Sequence, residues 1–205
     1  MMKKLVGLLV GTLLLSGLWA CDNKQQYLTP LRPNDVILAF GDSLTKGAGA
    51  APELSYPAQL SRLIARKVIN AGISGETSDE GARRLPGLLD DVKPDLVIIC
   101  EGGNDILRKQ DRGQLQENLR RMYEAAHQRD IQVVMIAVPQ MGLLAKDLDL
   151  YRQLAEELKF PLLEDRLGEL LFDRSYKSDA VHLNAQGYRK LAEAVADLLK
   201  SRGAI

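Results

Sequence analysis

The sequence predicts an α/β protein, a three-layer α/β/α sandwich around a central parallel sheet. Two patterns carry that prediction. Residues 36–40, 96–100 and 131–138 are short, nearly continuous apolar runs, and runs of this length suit strands buried on both faces. Between them apolar residues recur at helical spacing. Strands that alternate with helices wind into a sheet covered on both sides by right-handed crossovers.

The N-terminal residues stand apart from that fold. Lys3 and Lys4 precede an uncharged run over residues 5–20, so residues 1–20 have the basic start and apolar stretch of a secretory signal peptide. A membrane-spanning helix is the competing reading, although the run falls short of the ~20 residues usually needed. Residues 21–34 are polar, carry Pro30 and Pro33, and read as a tether. The domain proper is expected over residues 35–205, long enough for one real core.

Within that domain the strand at 36–40 leads to a helix at 56–67 and a short strand at Val68 and Ile69. A helix at 79–92, the strand at 96–100 and a helix at 114–129 come next. The strand at 131–138 precedes a helix at 148–158, a short strand at Leu162 and Leu163, and a closing helix at 185–201. Lys plus Arg equals Asp plus Glu at 27 each, which leaves no basic surplus to attract nucleic acid. Of the two cysteines, Cys21 directly follows the apolar run, whereas Cys100 lies inside a strand run and reads as a small core residue.

The unusual residues fall at strand ends. The first strand runs into Gly41-Asp42-Ser43-Leu44, the second into Asn70-Ala71-Gly72-Ile73-Ser74-Gly75, and the third into Glu101-Gly102-Gly103-Asn104-Asp105. In an open parallel sheet these ends share one edge, where ligands bind. A serine hydroxyl needs an adjacent base to become a nucleophile. His127 lies at the polar end of a helix and reads as a surface residue. His182 lies just before the last helix, with Asp179 three residues earlier. Asp179 can fold back within one turn, accept from the ring Nδ1–H and leave Nε2 free as base. Taken alone, Asp-x-x-His is an ordinary helix-entry loop. The Ser43 N–H, the Gly75 N–H and the Asn104 amide are candidate donors to an oxyanion, though each of these positions alone also fits a turn.

Gly41-Asp42-Ser43-Leu44, Gly75, Gly102-Gly103-Asn104-Asp105 and Asp179-Ala180-Val181-His182 resemble, in order, the four signature blocks of the SGNH (GDSL) hydrolase family. The nearest likeness is to its bacterial thioesterase I / lysophospholipase L1 / arylesterase group. The resemblance implies the flavodoxin-like SGNH hydrolase fold and an ester hydrolase with Ser43 as nucleophile, His182 as base and Asp179 as its orienter. It also implies an oxyanion hole of Ser43, Gly75 and Asn104. Neither metal nor cofactor is expected. One departure is Ala180-Val181-His182-Leu183, where the group usually has Gly-Ile-His-Pro; it touches the loop's shape and not the roles. Leu18-Trp19-Ala20-Cys21 is similar to a bacterial lipobox except at Trp19, and implies lipidation at Cys21.

These features point to a monomer of the bacterial cell envelope, facing the periplasm and tied to the membrane by a lipid anchor. A small-molecule or lipid acyl ester is the expected substrate, in place of cytosolic acyl-CoA. Residues 106–111 are either a lid over the acyl group or a solvated loop, and Met141, Leu143 and Leu144 either line an acyl pocket or pack in the core. A polysaccharide O-acetylesterase is the alternative within the family. A binding lipoprotein without activity is the alternative outside it, and it would require a degraded site.

Overall fold

The computed structural model describes residues 27–140 and 148–205. The expected signal peptide and residues 21–26 of the tether, Cys21 among them, lie outside the described residues, as do Met141, Leu143 and Leu144. The far end of the tether is packed: Leu28 N–H donates to Arg202 O and Leu31 N–H to Ala204 O, both at 2.8 Å. Leu31 is buried with the core.

Five parallel strands form one sheet in the order β2-β1-β3-β4-β5. They are β1 (Val36–Gly41), β2 (Lys67–Gly72), β3 (Leu96–Cys100), β4 (Gln132–Ile136) and β5 (Leu162–Leu163). Ile37 of β1 stands opposite Val68 on one side and Leu96 on the other. Every residue of β3 is buried, as are those of β1 from Ile37 onward, which is why both announce themselves as apolar runs. β2 is an edge strand of partly exposed residues, including Lys67 and Asn70. Its hydropathy signal shrinks to Val68 and Ile69, and the strand is longer than expected.

The helix expected at 56–67 is α2 (Tyr56–Ile64), and Lys67 belongs to β2. Ala65 takes the left-handed conformation that stops the helix. The helix expected at 79–92 is α3 (Ser78–Val92), opened by a reciprocal capping box of Thr77 and Glu80. That at 114–129 is α5 (Arg112–His127), capped by Asp111, whose side chain accepts the Gln114 N–H at 2.8 Å. α6 (Asp149–Leu158) and α8 (Ala185–Ser201) fall close to expectation. Three short helices escape the periodicity: α1 (Ser43–Lys46), α4 (Gly103–Leu107) and α7 (Arg166–Phe172).

The chain steps from β1 to β2 in one direction, then returns past β1 to β3, β4 and β5. Right-handed crossovers in opposite directions place α2 on one face and α3, α5 and α6 on the other. α2 packs on α8 with α7 beside it, while α3 packs on α5 with α6 beside that. Where the order reverses, the connections leaving β1 and β3 part to opposite faces and open a crevice at the C-terminal edge.

α1 sits directly on the end of β2. A Cβ at Gly72 would lie 2.7 Å from Lys46 Cα, against backbone that cannot yield. Gly72→Ala should therefore lower the unfolding free energy by about 1–3 kcal/mol, as overpacking does, and reduce turnover because α1 carries Ser43. Urea unfolding checks this; an unchanged midpoint with full activity would contradict the close approach.

Candidate active site

Ser43 opens α1, immediately after the Gly41-Asp42 turn that ends β1. Asp42 caps the turn, accepting the Leu44 N–H at 2.9 Å. Burial pushes its carboxyl up to about 6, so the cap is held at the expense of desolvating an acid.

His182 comes from the loop before α8. That loop is fastened by the Lys177–Leu183 bridge and by Ser178 N–H donating to His182 O at 3.0 Å. The Asn184 side chain accepts the Gln186 and Gly187 N–H groups, and its amide donates to Ser175 O and Lys177 O. So held, His182 Nε2 lies 3.0 Å from Ser43 Oγ, and Nδ1 lies 2.8 Å from Asp179 Oδ2. Asp179 Oδ1 accepts the N–H groups of Val181 and His182 at 2.8 and 2.9 Å. The Val181 N–H above all, then the imidazole, holds the Asp179 carboxyl below its ordinary value. An ionised Asp179 accepts the Nδ1–H, which leaves Nε2 to accept the Ser43 hydroxyl.

The oxyanion candidates meet at the same place. Ser43, Gly75 and Asn104 line one cleft of about 300 Å³ together with His182. Gly75 has φ +83, a left-handed backbone that a side chain would strain. Its carbonyl accepts from Arg108 Nη2 at 3.0 Å. Asn104 Nδ2 donates to Glu76 O at 2.8 Å, which uses one of its two amide hydrogens. Among the described residues no acceptor takes the N–H of Ser43 or of Gly75. Three donors are therefore uncommitted around the Ser43 hydroxyl.

The remaining cleft wall is largely apolar: Leu44, Ile106, Leu107, Val138, Pro139, Leu171 and Val181. Ile106 and Leu107, expected in a loop, close α4, and the irregular segment begins only after them. Leu171 belongs to α7, which the periodicity did not reveal. Sequence reasoning also passed over Asp105, which is buried and accepts both the N–H and the hydroxyl of Ser78, at 2.8 and 2.6 Å. This ties α4 to the start of α3. The available signal for it was an acid in the first turn of the short helix that follows the Gly102-Gly103 pair. His127 stays at the end of α5, stacked on Tyr123. A second depression of about 590 Å³ lies at the opposite edge of the sheet, lined by Arg32, Asp95 and Gln132 among others. None of the expected site residues reaches it.

Comparison with known proteins identifies the family. Residues 39–190 match the GDSL-like lipase/acylhydrolase family. Esterase TesA of Pseudomonas aeruginosa is 37% identical over 116 residues, which cover 54% of this chain and 58% of that protein. The match thus spans little more than half of that relative. An arylesterase of Vibrio mimicus is 32% identical over 177 residues, covering 81% of this chain and 88% of that one. The crystal structure of AlinE4, an SGNH-hydrolase family esterase, superposes with a TM-score of 0.65 at 32% identity over 82% of this chain and 96% of that one. The chain belongs to the GDSL-like lipase/acylhydrolase family.

Proposed function

We propose that the chain hydrolyses a carboxylic acyl ester or thioester through an acyl-enzyme on Ser43. The observation that carries the reading is the unbroken chain from Asp179 through His182 to Ser43, with contacts of 2.8 and 3.0 Å, opening into an apolar cleft. The Ser43 proton passes to His182 Nε2 as Oγ attacks the carbonyl carbon. The oxyanion that forms accepts from the Ser43 and Gly75 N–H groups and the Asn104 amide, each such donor being worth ~10²–10³ in rate. Collapse expels the alcohol or thiol, which takes the proton from His182. Water then repeats the sequence on the acyl-enzyme, its proton going to His182 and finally back to Ser43 as the acid leaves. The Asp179 side chain is about half exposed, at 53%, so solvent screens its charge. Its main work is to hold the ring's orientation and tautomer.

The cleft wall supports an acyl chain of medium or greater length. Each methylene buried there is worth ~0.8 kcal/mol. Export through residues 1–20 and lipidation at Cys21 complete the proposal: a monomeric, periplasm-facing enzyme at the cell envelope, acting on lysophospholipids or other acyl esters. Lys3, Lys4 and the uncharged run before Cys21 support this part.

Ser43→Ala should lower kcat by ~10³-fold or more with an unchanged thermal midpoint; a variant that retains turnover would point to another nucleophile. The rate kcat/KM should fall on the acid side, because a protonated His182 cannot accept the Ser43 proton. A profile flat into acid would contradict a histidine base. Across p-nitrophenyl esters from acetyl to octanoyl, kcat/KM should rise about fourfold per methylene until the cleft is filled. Preference for acetyl with no octanoyl cleavage would instead favour polysaccharide deacetylation.

A further inference from the structure

Behind the oxyanion donors lies a set of charged groups that the acyl-transfer steps do not use. Glu76 follows Gly75, and its main-chain carbonyl is the group that holds the Asn104 amide. Its side chain is gripped by Arg84 of α3, with Nε 2.7 Å from Oε1 and Nη2 on Oε2. Arg84 in turn donates to Ala71 O at 3.0 Å and lies 4.1 Å over the Phe40 ring of β1. The peptide that bears both Gly75 and the Asn104 acceptor is thus anchored to the sheet through one carboxylate.

Glu101, the residue after β3, lies fully buried beneath this anchor. A Cβ at Gly81 of α3 would lie 3.6 Å from its carboxyl carbon. Its Oε2 accepts the Gly102 N–H at 3.1 Å, and its main-chain oxygen accepts the Tyr151 hydroxyl of α6 at 2.7 Å. Among the described residues nothing donates to Oε1, which is buried. The charged and titratable groups that face this carboxyl are Asp42 from the β1–α1 turn, Glu76 from the β2–α3 loop with Arg84 behind it, and Tyr151 from α6. Burial first, then the Asp42 and Glu76 carboxylates, pushes Glu101 well above the ordinary range. Two carboxyl groups can meet in a dry interior only if one carries a proton. Glu76 already has the guanidinium as its partner, so the geometry assigns the shared proton to Glu101. Oε2 is already an acceptor, which leaves Oε1 to carry it.

We propose that Glu101 is a positioning residue: a neutral carboxylic acid whose Oε1–H donates to the Glu76 carboxylate and, with Arg84, sets the Glu76 peptide that aims Gly75 N–H and the Asn104 amide at the oxyanion. The proposal rests on the oxyanion assignment above. Removing the proton places a second negative charge against Glu76 and behind the atom where charge develops, so ionisation at alkaline pH lowers kcat and leaves substrate binding nearly untouched.

The test compares the wild type with Glu101→Gln and Glu101→Ala on p-nitrophenyl butyrate from neutral to alkaline pH. Glu101→Ala should lower kcat about 10-fold or more with KM changed less than about twofold, the effect of misaimed donors. The glutamine amide supplies the same donor without titrating. Glu101→Gln should therefore restore kcat to within about threefold and lose the alkaline fall of the wild type. The wild type at mildly alkaline pH should show the infrared carbonyl band of a protonated carboxyl, absent from Glu101→Gln. Should Glu101→Ala fail to fold, the glutamine variant's pH profile and the infrared band decide the matter. The proposal is overturned if Glu101→Ala keeps wild-type kcat, if Glu101→Gln is as impaired as Glu101→Ala, if it keeps the wild-type alkaline limb, or if no band is lost. Failure of the acyl-enzyme reading would show separately, as turnover retained by Ser43→Ala.

Discussion

In a sheet whose strands all run the same way, every connection leaving a C-terminal end arrives at one edge, and here the strand order reverses at β1. Those two facts concentrate the chemistry. Ser43, Gly75 and Asn104 follow β1, β2 and β3 in turn, so the sheet delivers three of the groups without further device. The histidine loop has no strand to carry it. Its place is fixed by α8 packing on α2, by the Lys177–Leu183 bridge and by both ends of the Asn184 side chain. The 3.0 Å between Ser43 Oγ and His182 Nε2 therefore depends on the packing of the whole α2–α8 layer, and a small shift there would separate His182 from Ser43.

Electrostatics sorts the carboxyls by task. Asp179 lies at the surface, where N–H groups, the Val181 N–H above all, hold its carboxyl below the ordinary range beside the His182 ring. Asp42 and Glu101 lie in the interior, where burial disfavours their charge, and both are pushed upward. Glu76, also buried, is paired with Arg84. Desolvating a carboxylate costs several kcal/mol unless it is well paired. Placing four acids around one turn, Asp105 included, is a choice against stability. Residues that break the local rule in this way mark the places where function, not packing, sets the identity.

Much of this was legible in the chain. Strands buried on both faces must be apolar throughout, so β1, β3 and β4 were visible, and the polar residues just beyond β1, β2 and β3 marked the candidate site. With only two histidines, the candidate base was quickly narrowed to His182. The elements that escaped are those whose identity is tertiary. β2 lies at the sheet edge and needs few apolar residues, so part of it read as the end of α2. Helices as short as α1, α4 and α7 complete too few turns to display a period. Leu171 on the cleft wall went unseen with α7. The pairing of Glu101 with Glu76 and Arg84 joins three separate segments and has no trace in local spacing.

The central claim is that Ser43 Oγ forms the covalent bond to the acyl group. Peptide mapping by mass spectrometry after reaction with a fluorophosphonate measures this most directly. One adduct on the peptide that carries Ser43, absent when His182 is replaced by alanine, is the predicted result. An adduct on any other residue, or labelling that is indifferent to His182, would contradict it.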